Sequence, residues 1–103
     1  DLIQVVFAAT DEEKARLQAK RAETFLSTTL KEQYGEGEVQ NLYPAAPSVI
    51  QRVGAAYRYQ LVLKSPKERR KAYGEMLESM KEEFGKKKTD VTVSIDINPY
   101  SFI

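Results

Sequence analysis

The chain has 103 residues, the size of one domain, and its sixteen Lys and Arg against fifteen Asp and Glu leave a net charge of +1. It contains no Cys and no His, which excludes disulfides, thiol nucleophiles, zinc sites with their usual ligands and every His-based acid–base mechanism. No apolar run approaches the roughly 18 residues needed to span a bilayer. A chain of this length buries roughly 60–70% of its unfolded surface, so residues 1–103 are read as a single domain with one core. No signal-type apolar segment is present, and the cytoplasm is the expected compartment. Asp1 leads straight into a strand pattern, so the chain is expected to be a piece of a longer protein.

Residues 2–9, LIQVVFAA, read as a strand. Thr10-Asp11-Glu12-Glu13 then has the form of a capping box, with the Thr10 hydroxyl as cap. Ala15, Ala19, Ala22, Phe25, Leu26 and Leu30 recur at helical spacing after it, with Lys14, Arg16, Lys20, Arg21, Glu23 and Lys31 on the other side. That amphipathic helix should stop at Gly35 or Gly37. Residues 38–43, EVQNLY, predict a short second strand that Pro44 and Pro47 interrupt, leaving a long connection up to Gly54.

Residues 57–64 give the clearest strand, with Tyr57, Tyr59, Leu61 and Leu63 on one face and Arg58, Gln60, Val62 and Lys64 on the other. The tyrosine rings are assigned to the core by this alternation. Ser65-Pro66-Lys67-Glu68 predicts a second capping box with Pro at the first helical position. Ala72, Tyr73, Met76, Leu77, Met80 and Phe84 supply the stripe of the next helix, which Gly85 ends. Residues 91–97 form the last strand, its odd positions apolar and its even positions polar.

The order β-α-β-β-α-β predicts an α+β fold, a ferredoxin-like plait with a four-stranded, mostly antiparallel sheet and both helices on one face. The other face should present Arg58, Gln60, Lys64, Thr92, Ser94 and Asp96 to water or to a partner.

Catalytic patterns are missing. There is no GxxxxGK[ST], no GxGxxG after a strand and no GxSxG. Asp90 and Asp96, both assigned to the last strand, would lie about 20 Å apart, beyond the roughly 5–10 Å of a glycosidase pair. The residues alone therefore predict no catalysis and no cofactor for this chain. Charge is unevenly placed, with residues 1–43 at −3 and residues 44–103 at +4. Arg52, Arg58, Lys64, Lys67 and Arg70 are the candidate DNA-binding residues, since such a set can neutralise phosphates. Lys67, Arg69, Arg70 and Lys71 alternate with Glu68 and Glu75 at helix spacing and also read as an ordinary solvated face, and Lys86-Lys87-Lys88 suits the negative end of the second helix dipole. The RNA-recognition octapeptide does not occur in either central strand.

Three stretches carry a family resemblance: Pro44-Ala45-Ala46-Pro47; Ile50-Gln51-Arg52-Val53-Gly54; and Tyr57-Arg58-Tyr59-Gln60-Leu61-Val62-Leu63-Lys64. Together with the ending Ile95-Asp96-Ile97-Asn98-Pro99-Tyr100-Ser101-Phe102-Ile103, they resemble the C-terminal domain of the primosomal protein N′ (PriA) family of bacterial replication-restart helicases. Tyr43 stands where the family often has Gly, and Asn98 where it often has Asp. The resemblance implies an accessory domain of an ATP-dependent 3′-to-5′ DNA helicase that recognises abandoned forks and reloads the replisome. It implies ATP, magnesium and zinc for the parent, whose ATPase motifs and zinc-binding cysteines lie upstream. The implied partners are forked or single-stranded DNA, the helicase core, single-stranded DNA-binding protein and other primosome proteins, and the implied form is a cytoplasmic, nucleoid-associated monomer. By that resemblance Arg52 and Arg58 match the family's basic motif positions, and Lys64 matches the strand end. A protein-docking module with little DNA contact is the rival reading, and a small-molecule regulatory domain a weaker third.

Overall fold

The first strand, β1 (Leu2–Ala9), is central because both of its neighbours bury it: Ile3, Val5, Phe7 and Ala9 are shielded on one side, and Gln4 and Val6 on the other. The computed structural model describes residues 1–85 and 90–98, and the side chains of residues 49–51 are not described. After β1 come α1 (Glu12–Tyr34), a 3-10 segment (Glu36–Asn41), β2 (Leu42–Val53), β3 (Ala56–Lys64), a 3-10 turn (Lys67–Arg69), α2 (Arg70–Phe84) and β4 (Thr92–Ile97). The sheet order is β2-β3-β1-β4 and every neighbouring pair is antiparallel. This is the predicted α+β plait.

Both helices pack on the face that carries the odd residues of β1. Ala15, Ala19 and Ala22 bring α1 close to the sheet, and Leu26, Leu30, Leu61, Leu63, Tyr73, Leu77 and Met80 close the core. Phe25 and Phe84 meet edge to face at 5.6 Å between the helices. Gln18 is the polar member of this interface. Its side-chain amide donates to the Phe84 carbonyl at 2.8 Å, satisfying a terminal acceptor of α2.

The expected boundaries needed several corrections. Asp11, not Thr10, caps α1, accepting from the Glu13 and Lys14 amides. Gly35 ends the helix at φ 90°, a conformation that a Cβ would penalise. Residues 36–41 are a 3-10 segment rather than the start of a strand. The prolines do not interrupt β2, which runs through both as an edge strand where a missing amide hydrogen breaks no ladder. Its register shifts between Tyr43 and Ala46, and again between Pro47 and Arg52. The expected long connection is therefore a hairpin, closed between Val53 and Ala56 with Gly54 at φ 59°.

Ser65 does not form the second capping box. Its hydroxyl sits 3.4 Å from the Pro66 carbonyl, and a 3-10 turn leads into α2. Tyr59 packs against the core as expected, but Tyr57 lies at its margin, half-buried. Asp90 precedes β4 at φ 57° and pairs with Lys14 at 3.1 Å, while Ile97 is 58% exposed despite its odd position. Lys86–Lys88 lie outside the described residues.

Candidate nucleic-acid interface

Alternation along β3 turns Arg58, Gln60, Val62 and Lys64 to the sheet face that carries no helix. Leu2, Gln4, Val6 and Ala8 join them from β1, and Thr92, Ser94 and Asp96 from β4. Gln4 is only 2% exposed there because the Gln60 side chain accepts its amide hydrogen at 2.8 Å. Tyr43 lies opposite Val62 and is half exposed.

The five candidate basic residues do not form one patch. Lys64 is exposed at the end of β3, opposite Leu2, and the exposed Lys67 follows in the adjoining turn. Arg70 stands at the same end, its Nε 2.7 Å from the Asp1 carboxylate, with 63% of its side chain still exposed. Asp1 and Ser65 exchange backbone hydrogen bonds of 2.9 and 2.7 Å, which ties this end of the sheet to the entry of α2. Arg58, half-buried, lies six positions back along β3, about 20 Å from Lys64 at strand rise.

Arg52 is placed elsewhere. The second register shift in β2 sets it opposite Tyr57, so it projects on the other side of the sheet from Arg58. Its guanidinium lies 4.9 Å above the Tyr57 ring, near the hairpin tip where Val53 is 55% exposed.

Sequence reasoning missed the strongest polar cluster. Arg69, read as solvated, grips Glu38 through its Nε and Nη2 at 3.0–3.2 Å, and its guanidinium covers the Tyr34 ring at 4.1 Å. The Tyr73 hydroxyl donates to the same carboxylate at 2.6 Å and accepts from Asn41 at 3.3 Å. The Tyr73 hydrogen bond, and then Arg69, hold Glu38 below the usual carboxylate range. Burial, with Glu38 adding to it, pushes Tyr73 up to about 12. The cluster fastens the 3-10 segment between the two helices, which makes it a structural lock; Glu38 and Tyr73 are 35 positions apart, and no short motif announces such a pair.

Asn98 also acquires a role. It adopts φ 50°, accepts from the Leu2 amide at 2.9 Å and donates to Asp1 at 3.1 Å. An amide performs both tasks at once; a carboxylate in its place would meet the Asp1 carboxylate.

The model of the primosomal protein N C-terminal domain matches residues 1–100, nearly the whole chain. The chain belongs to that family. No curated protein matches it. Among solved structures it is similar to a de novo designed protein with a ferredoxin fold, determined by solution NMR. The two are 19% identical with a TM-score of 0.53, over 95% of this chain and 83% of that one. At that identity the likeness concerns the fold alone. Membership of the primosomal protein N C-terminal domain family puts the chain in the context of replication restart. Among the described residues, no helix is long and apolar enough to cross a membrane, and no three His, Cys, Asp or Glu side chains are grouped as metal ligands.

Proposed function

We propose that this chain is a DNA-holding accessory domain of a replication-restart helicase. The observation that carries the reading is the gathering of Lys64, Lys67 and Arg70 at one end of a helix-free sheet face that also bears Arg58, in a chain of this family. Exposed ammonium groups suit phosphates, and the free guanidinium edge of Arg70 can serve phosphate while Asp1 orients the other. Arg52, on the opposite side of the hairpin, reaches a different part of a branched substrate. In this reading the domain performs no chemistry itself. ATP, magnesium and zinc belong to other parts of the parent helicase, which works in the bacterial cytoplasm at the nucleoid.

A second reading, docking against the helicase core or single-stranded DNA-binding protein, is favoured by one feature. The helix-free face mixes its charges with Leu2, Tyr43 and Val62, more apolar surface than phosphate binding needs.

Fluorescence anisotropy with labelled single-stranded and forked DNA, at about 50 and 200 mM salt, separates the two. Four phosphate contacts on duplex predict a loss of affinity of about 150-fold across that range, and about 50-fold on single strands. Arg58→Ala and Lys64→Ala should each lower the salt slope by about 1. Absence of binding at the lower salt overturns the DNA reading and directs the titration to the helicase core and to single-stranded DNA-binding protein.

A further inference from the structure

The two outer edges of the sheet differ in how their backbone groups are protected. On β2, Pro44 and Pro47 offer no amide hydrogen, and the Ala45 amide donates to Glu23 Oε1 of α1 at 2.9 Å. Among the described residues nothing comparable guards β4. Its pairing with β1 runs from Ile3–Ile97 to Ala8–Thr92 without a shift, and it contains neither Pro nor Lys.

Hydrogen bonds at one end of the sheet identify which groups of β4 are free. The Asn98 amide donates to the Leu2 carbonyl at 2.7 Å, whereas Asp1 exchanges its bonds with Ser65 on the β3 side. Since direction alternates along an antiparallel ladder, Leu2, Gln4, Val6 and Ala8 turn their backbone groups toward β4. Thr92, Ser94 and Asp96 are thus committed to β1. Val93, Ile95 and Ile97 direct their amides and carbonyls outward, where no further strand lies among the described residues.

We propose that this edge receives a second copy of the chain, the two β4 strands pairing antiparallel to join two four-stranded sheets into one. The side-chain pattern is self-complementary in one register. With Ile95 opposite its own counterpart, Val93 meets Ile97 on the helix side and all three outward residues complete their backbone bonds. On the other face the Ser94 hydroxyl meets the Asp96 carboxylate, and no carboxylate opposes its twin. Centring the seam on Ser94 instead leaves Ile97 without a partner strand. The chosen register covers the side chain of Ile97, the most exposed large apolar residue described. A seam of one short strand falls below the roughly 1,200 Å² of stable interfaces, so the dimer is weak and the expected monomer is its dilute form. This inference is independent of the DNA reading.

Sedimentation velocity of the chain from about 10 to 500 μM tests it, with a monomer-to-dimer shift expected across that range. Ile97→Lys should raise the dimer dissociation constant at least about tenfold, because the ammonium would have to be desolvated against Val93. Its circular-dichroism melt should stay unchanged, since residue 97 is already exposed. Arg58→Ala, on the helix-free face, should leave dimerisation intact. A chain still monomeric at the highest concentration overturns the proposal. So does a dimer indifferent to Ile97→Lys, or one that Arg58→Ala abolishes.

Discussion

Removing a single oxygen from the Glu38 cluster, by Tyr73→Phe, measures what that cluster contributes to the fold. The ring is fully buried and keeps its contact with Tyr34, 5.9 Å between centroids, so no cavity larger than the hydroxyl opens. What is lost is a 2.6 Å hydrogen bond to a carboxylate. Bonds to charged groups contribute about 1.5–3 kcal/mol. With an unfolding entropy of roughly 0.2 kcal/mol/K for a chain of this length, the melting temperature should fall by about 7–14 °C at neutral pH. Thermal melts followed by circular dichroism from acid to alkaline pH give the assay a second axis. The Glu38 carboxyl is held below its ordinary value, so its stabilisation is complete above the usual carboxylate range and disappears as pH falls through the lowered value. The gap between wild type and variant should therefore narrow below about pH 4. Tyr73 shifts the other way, from 10.0 up to about 12. Its contribution is complete below pH 10 and is lost as pH rises toward 12, a loss that the Phe variant cannot show. A neutral-pH difference under about 2 °C, or a gap that never narrows as the pH falls through the acid range, would refute the assignment.

Other substitutions probe separate parts of the molecule. Asn98→Ala keeps φ at 50° but adds strain and removes the acceptor for Leu2; it should cost about 1–2 kcal/mol, with Asn98→Gly recovering the strain component in parallel denaturant melts. Gly85→Ala would place a Cβ 2.7 Å from the Lys81 carbonyl oxygen and 3.3 Å from Val93, so urea unfolding should show a loss of about 1–3 kcal/mol. Glu23→Ala strips the Ala45 amide of its acceptor, and hydrogen exchange at that amide should accelerate by about tenfold, with a stability loss of about 1 kcal/mol.

The elements that alternation or helical spacing can specify were legible from the chain. β3 and β4 declare their buried faces through the pleat, β1 is marked as a strand by its apolar run, and the Ala-rich stripe of α1 declares the side that meets the sheet. The misread segments are those where two local rules compete. Thr10 and Asp11 both suit a helix cap, and only the chain path selects Asp11. Glu38–Tyr43 carries strand-forming residues, yet Glu38 is held by Arg69 and Tyr73 and the segment coils up to Asn41, so that only Leu42 and Tyr43 enter the strand. Pro44 and Pro47 deny a central strand but are harmless on an edge, and edge position is a property of the whole sheet. The candidate interface was legible to the same degree. Period two placed Arg58 and Lys64 correctly on the helix-free face. Arg52 escaped, because the register shift after Pro47 carries it to the opposite side, and no pattern in the sequence marks a bulge.

The position of β1 between β3 and β4 has a consequence for biosynthesis. The domain's first strand has both of its neighbours in the later part of the domain, and Leu2 bonds to Asn98, 96 positions away. Until β3 emerges, β1 has no strand to pair with, and until β4 follows, one of its edges stays open. Within the domain, helix α1 is what can shelter Ile3, Val5 and Phe7 meanwhile. Such distant pairings make loop closure the slow event, so the sheet matures only once β4 is available. A transcript cut short before Thr92 would yield a chain whose most apolar strand is left open along one side, the kind of species that chaperones and proteases meet first.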